Sequence, residues 1–313
     1  VPAATALALA AVVSLGAPVK ARAQACCAGA TAFTPGRLAA HEDALAGVLV
    51  RATVLYGAFE ANGSFVASPK GTAEVDLEED LFASVRVLGR GQLTLLAPLV
   101  ETYRRDLGST GVVSDLGGGF GDFQAAARWD FTLAGASVRV PGIAALVTLT
   151  LPTGVPPEAA TDPLASESTG TGAYQGAFGL ALEQSWGKLL VNVTGSATVH
   201  SARTVEAPGT PDVHTQVGPA FNAFAAVAWT FDAGPVGALT ASYTGQLATV
   251  TDSGHLETAA PGIRQLRIGA SAGYELPGGW RLQGGVFMDP PIPHVGQNEP
   301  TGVGLSATAI STW

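Results

Sequence analysis

Charge is scarce in this chain. Asp, Glu, Lys and Arg make up 13% of its 313 residues, about half the share of roughly 25% that is usual in soluble domains. Beside 47% hydrophobic residues, that scarcity excludes a disordered polypeptide, which needs the opposite balance. Basic residues number 16 against 25 acidic ones, for a formal net charge of −9. A nucleic-acid partner, which requires clustered Lys and Arg, is therefore not expected. The two cysteines, Cys26 and Cys27, are adjacent and offer no disulfide framework. His41, His200, His214, His255 and His294 are scattered without ligand spacing, so no metal is expected and no other cofactor either. No heptad pattern of Glu, Lys and Leu runs through the chain. Only the first 25 residues approach the stretch of about 20 apolar residues that a membrane helix needs. What is plentiful is glycine, with 40 residues, about 13% against a usual share of about 7%. A glycine-rich, apolar, charge-poor all-β protein remains.

Residues 3–19 carry no charge, and Ala23-Gln24-Ala25 follows as a small-x-small cleavage site. Residues 1–25 thus read as a secretory signal peptide. The basic n-region is missing and the chain opens on Val1-Pro2, so a truncated or alternative start is expected. Cleavage after Ala25 would put Cys26 at the mature terminus, where lipid anchors attach. Ala23, however, stands where a lipobox carries Leu. Residues 26–44 read as a periplasmic N-terminal segment and 45–313 as the folded unit.

From residue 45 onwards, runs of alternating character predict strands at 45–59, 71–88, 91–105, 121–132, 142–152, 173–186, 189–202, 216–231, 236–250, 264–276, 280–289 and 301–313. The connections alternate in length. Those at 89–91, 133–141, 187–188, 232–235 and 277–279 are short. Those at 60–70, 106–120, 153–172, 203–215, 251–263 and 290–300 are long and rich in Gly, Pro, Thr and Asp. Transmembrane barrels of the outer membrane have short periplasmic turns and longer extracellular loops. A soluble sandwich has no reason to keep that alternation over six hairpins.

Within the strands the side chains follow a period of two, as a wall with two different faces requires. In 264–276, Leu266, Ile268, Ala270, Ala272 and Tyr274 oppose Gln265, Arg267, Gly269, Ser271, Gly273 and Glu275. The polar face is mostly Gly, Ser, Thr and Gln, which suits a confined lumen better than open water. Glu79 and Glu101 break the phase far from the short turns. Trp129, Trp186, Trp229, Trp280 and Trp313 all lie on apolar faces beside short turns or at the C-terminus. Indole prefers the membrane interface. Five tryptophans at one end predict an aromatic girdle on the periplasmic side, and the fold expected is an antiparallel transmembrane β-barrel of about twelve strands.

Three segments also resemble a known family. Gly119-Phe120-Gly121-Asp122 opens one strand and Leu151-Pro152-Thr153-Gly154 ends the next. Gly170-Thr171-Gly172-Ala173-Tyr174 then leads into an aromatic-containing strand. Together these resemble a broad family of bacterial outer-membrane transporter-like barrels, some of them linked to meta-pathway phenol degradation. The resemblance covers about residues 45–313. It implies an outer-membrane location and an uptake role, and brings no substrate-binding residues with it. Trp313 resembles the C-terminal aromatic that barrel assembly machinery recognises, which makes that machinery an expected partner beside outer-membrane lipid.

No catalytic constellation stands out. His200 and Ser201 are neighbours on a strand, so they point to opposite faces and cannot act as base and nucleophile. The glycine-rich run 117–121 leads into a strand rather than a helix, so it reads as a flexible loop and not as a phosphate cradle. The charged lumen candidates are Arg51, Asp76, Glu78, Asp80, Arg86, Arg128, Glu183, Arg267 and Arg281, with Asp122, Asp130, Glu275 and Asp289 beside them. Either opposite charges pair across the lumen and close it, or they line a hydrated path and set its selectivity. Asp76, Glu78 and Asp80 share a face near the expected extracellular mouth, with Arg51 and Arg86 placed too low to neutralise them, which predicts mild cation selectivity. The reading favoured is a channel passing a small solute that the sequence does not name. A non-conducting structural barrel is the first rival, and a soluble β protein, excluded by heat-modifiable migration, is the second.

The topology has a direct check. Tags inserted in 153–172 or 251–263 should be labelled on intact cells, and tags in 133–141 should not. The reverse pattern would invert the barrel.

Overall fold

The computed structural model describes residues 36–39, 41–108, 111–135, 139–162, 164–205, 213–232, 234–252 and 257–313. The expected signal peptide, residues 1–25, and Cys26 lie outside them. Twelve strands form the wall: β1 Ala44–Phe59, β2 Ala73–Val87, β3 Gly91–Gly108, β4 Phe123–Thr132, β5 Gly142–Leu151 and β6 Gln175–Trp186, then β7 Leu189–His200, β8 Ala220–Thr230, β9 Val236–Gln246, β10 Ile263–Leu276, β11 Trp280–Met288 and β12 Glu299–Thr312. Each pairs with its sequence neighbour, and β1 pairs antiparallel with β12 from Leu45 opposite Thr312 to Phe59 opposite Glu299. The sheet is closed.

Local chemistry sets the turns. Trp186 faces Leu189 across the two-residue turn Gly187-Lys188, and Gly187 takes φ +59°. Such hairpins need positive φ, which glycine adopts without strain. Lys188 forms an ion pair with Asp232 of the neighbouring short turn.

The alternation read from the sequence becomes inside and outside. On β10, Gln265, Arg267, Gly269, Ser271 and Glu275 lie on the inward face. Outward positions around the wall are apolar and exposed, among them Leu239 at 68%, Leu305 at 62% and Phe178 at 58%. A continuous apolar belt of this extent is a lipid-facing surface. All five tryptophans are outward and exposed at its short-turn edge.

Differences from expectation lie above the wall. The connection expected at 106–120, with its run 117–121 read as a flexible loop, is largely strand: β3 runs to Gly108, and a strand at Gly111–Phe120 pairs with its upper half, from Leu99 opposite Phe120 to Gly108 opposite Gly111. The glycines misled because they signal looseness in sequence but serve close approach here. A Cβ on Gly117 would lie 2.6 Å from the backbone of Ser166 and Glu167. Long loops also hold paired strands: Arg203–Val205, Val213–Gln216, Thr249–Asp252 and Glu257–Ala260 form a separate four-stranded sheet.

An arginine on the lipid face near mid-membrane costs roughly 2–4 kcal/mol. Ala270→Arg should therefore impair assembly, measured as loss of heat-modifiable folded protein, while Ser271→Arg should fold. The opposite ranking would reverse the faces of β10.

Candidate functional site: a lumen with a filled floor and a polar cavity

At the short-turn end the chain's own N-terminal segment lies inside the barrel. Gln92 of β3 accepts a hydrogen bond from the Leu38 backbone N–H at 3.0 Å, and Ser84 of β2 donates to the Gly36 carbonyl at 3.1 Å. Arg86 donates from Nε to the Glu42 carbonyl at 2.8 Å and from its guanidinium to the Ala39 carbonyl. Leu38 packs in a buried cluster with Leu45, Leu49, Phe82, Leu96 and Ile310. Glu42 pairs with Arg281 of β11 at 3.0 Å, and Arg37 pairs with Glu183 of β6.

Glu183, only 2% exposed, also accepts from Arg128 at 3.1 Å and from Asn192 at 3.0 Å, and Arg128 donates to Asp130 at 2.9 Å. Buried charges are tolerated only when paired and hydrogen-bonded. Here one carboxylate serves two arginines. The lumen residues Arg86, Arg128, Glu183 and Arg281 are thus brought together around residues 36–39 and 41–43, an arrangement the sequence pattern gave no means to see.

Higher up, two of the three acids expected to stand free at the mouth, Asp76 and Glu78, have partners. Arg51 lies within 2.6 Å of Glu78, and Thr102 donates to Asp76 at 2.9 Å. The placement of Arg51 too low to reach them is corrected. β1 enters the wall with Ala44 opposite Val85 rather than at the turn, so Arg51, seven residues on, meets Glu78 directly. Asp80 is buried, and its Oδ1 has no hydrogen-bond partner among the described residues. Arg267 forms a fork on Asp289, at 2.8 and 3.0 Å, and stacks 4.5 Å from the Phe287 ring centroid.

Between these groups lies a cavity of about 250 Å³ on the inward faces of β8–β12, with Arg51 at its edge. Its floor is the apolar cluster Leu190, Phe224, Ala226, Ala228 and Ala238. Arg281, which holds Glu42, is two residues below the cavity-lining Gln283 on the same face of β11.

The motif residues Gly121-Asp122 and Pro152-Thr153-Gly154 are joined at the long-loop end. Asp122 Oδ1 accepts from Gly154 N at 3.0 Å, and Oδ2 accepts from Thr171 N at 2.8 Å and from its hydroxyl at 2.9 Å. Thr153 Oγ1 donates to the Gly121 carbonyl at 2.7 Å and accepts from Phe123 N at 2.9 Å. These bonds replace ladder pairing where the strand is interrupted, and they hold the loop 153–172 against the wall. Farther along that loop, the Leu164 carbonyl accepts from Arg104 of the inward face at 2.7 Å, and Ser166 donates to Asp115 at 2.7 Å. Hydrogen bonds from the Thr161 backbone and hydroxyl hold the Glu167 carboxyl below its usual range. His200 Nδ1 contacts the Gly218 carbonyl at 3.0 Å, whereas Ser201 accepts from Tyr174 N at 3.1 Å, so the two do not engage each other.

No protein-family model matches the chain, and no curated protein matches it. Among solved structures, the COG4313 outer membrane channel from Pseudomonas putida F1 is similar over 87% of this chain and 96% of its own, at 18% identity and a TM-score of 0.70. The transport unit of the autotransporter AIDA-I from Escherichia coli is similar over 87% of this chain and 90% of its own, at 8% identity and a TM-score of 0.50. Likeness at these identities speaks for the fold. The chain has the closed architecture of a bacterial outer-membrane β-barrel, here with twelve strands.

Hydrogen bonds to a charged group contribute about 1.5–3 kcal/mol each. Asp122→Ala should therefore loosen loop 153–172 and speed its proteolysis on intact cells at least several-fold, while the folded barrel keeps its heat-modifiable migration. Unchanged cleavage would remove the latch.

Proposed function

We propose that the chain is an outer-membrane channel for passive passage of small solutes, and that the segment carrying Arg37, Leu38 and Glu42 closes its short-turn end until it parts from the wall. The observation that carries this reading is a cavity with a hydroxyl-bearing wall whose Gln283 stands two residues above Arg281, the residue that pairs with Glu42 of the segment filling the short-turn end. A purely structural barrel has no need of a cavity lined with unpaired hydroxyls. The similar Pseudomonas putida structure, described as a channel, supports the same reading. The charged lumen residues Arg51, Asp76, Glu78, Asp80, Arg86, Arg128, Glu183, Arg267 and Arg281 then act in two groups. Arg86, Arg128, Glu183 and Arg281 hold the floor. Above them Asp76, Glu78, Asp80 and Asp289 outnumber Arg51 and Arg267, which keeps a weak preference for cations at low salt.

Trp129, Trp186, Trp229, Trp280 and Trp313 anchor the short-turn rim at the lipid interface, and the C-terminal Trp313, 65% exposed, is presented to the assembly machinery. The reading contains no catalytic step. The rival, a non-conducting barrel, draws on one specific observation, the buried ion pairs Arg37–Glu183 and Arg281–Glu42 that seal the floor.

Single-channel recording separates the two. A charge-assisted bond of about 1.5 kcal/mol corresponds to more than tenfold in an equilibrium. Arg86→Ala, which removes two bonds to residues 39 and 42, should raise the open probability by at least that factor over the wild type, with the same cation preference. Silence in both proteins would establish the structural barrel.

A further inference from the structure

We propose that the cavity on β8–β12 is a binding site for one small, neutral, polyhydroxylated solute. This deepens the channel reading and rests on it for the direction of passage, though not for binding itself.

The two halves of the lumen differ in kind. On the β4–β7 side, Arg128, Asp130, Glu183 and Asn192 are tied into one charged network with Arg37. On the β8–β12 side the cavity wall is mostly uncharged; its one arginine there, Arg267, is held by Asp289. Thr240, Ser242, Ser271, Gln283 and Ser306 line the cavity, and among the described residues none of these side chains hydrogen-bonds to another protein group. Gly269 and Gly285 on the same wall keep the space open. On the adjoining inward face of β7, the Ser196 hydroxyl is buried without a partner, across the ladder from cavity-lining Asn222.

Three ligand classes can be compared against that surface. A hydrocarbon would strip water from five hydroxyl and amide groups and give them nothing in return. An anion would need a free cation, but Arg51 is held by Glu78 at 2.6 Å and Arg267 by both oxygens of Asp289. A neutral polyol replaces the water on these groups bond for bond, since each hydroxyl both donates and accepts. The apolar floor at Phe224 and the ring of Phe287 suit the C–H faces of such a molecule. A cavity of about 250 Å³ lies just below the range of roughly 300–1,000 Å³ typical of drug-sized ligands, so the solute is a single small unit rather than an oligomer.

The test uses the full chain folded in detergent, with ribitol as probe, by calorimetry and saturation-transfer NMR. Ribitol should bind the wild type. Thr240→Val combined with Ser271→Ala keeps side-chain shape at Thr240, removes two hydroxyls and should weaken binding about tenfold or more. Toluene and benzoate should not compete. If the double variant fails to fold, Ser242→Ala alone should still weaken binding several-fold. No ribitol binding, equal binding by the folded variants, or displacement by toluene or benzoate would overturn the site. Ribitol binding to a barrel that never carries current would remove the channel and keep the site. Current without ribitol binding would do the reverse.

Discussion

Everything in this structure depends on the pairing of β1 with β12. An open sheet of eleven pairings would present two rows of unsatisfied N–H and C=O groups to hydrocarbon, each costing several kcal/mol. Closing it joins segments from nearly opposite ends of the described chain, Ala44–Phe59 and Glu299–Thr312. Once the wall is closed, the direction of every strand residue is decided. Alternate side chains must meet lipid or crowd into a lumen narrow enough for them to fill much of it. The ion network around Glu183 is therefore a consequence of closure: charges that face inward have no bulk water to retreat to, and pairing across the lumen offsets their desolvation.

Strand number, facing and the tryptophan rim were legible in the sequence because each follows from a local rule repeated twelve times. Leu266, Ile268 and Ala270 alternate with Arg267, Gly269 and Ser271 whatever lies across the ladder. Trp186 marks the rim because the adjacent Gly187-Lys188 can only be a turn. Register was not legible. Arg51 meets Glu78 because β1 enters opposite Val85, and nothing near either residue encodes that offset. The role of residues 36–39 and 41–43 was hidden for the same reason. Leu38 and Glu42 make ordinary-looking sequence, and their partners Gln92, Arg86 and Arg281 come from three distant strands.

Glycine shows how one residue type carries two opposite signals. At Gly187 it permits a positive φ and marks a turn, as its neighbours in sequence already declare. At Gly117 it sits within a strand, and its missing side chain admits the backbone of Ser166 and Glu167. Only the contact across the fold distinguishes the cases, so a glycine-rich run read alone as a loop turned out to be a place of close backbone approach.

The same distinction applies to the segments that resemble other outer-membrane barrels. Asp122, Thr153 and Thr171 bond to backbone where a strand is interrupted and a loop must be held to the wall. That is a task any barrel with this interruption has to perform, whatever crosses it. The motif therefore carries information about architecture. Information about the solute lies instead on β8–β12, in Ser, Thr and Gln spaced every second residue, a pattern that demands nothing of the fold beyond small size and so leaves no motif. Resemblance finds the wall before it finds the ligand, because the wall imposes the stricter geometry.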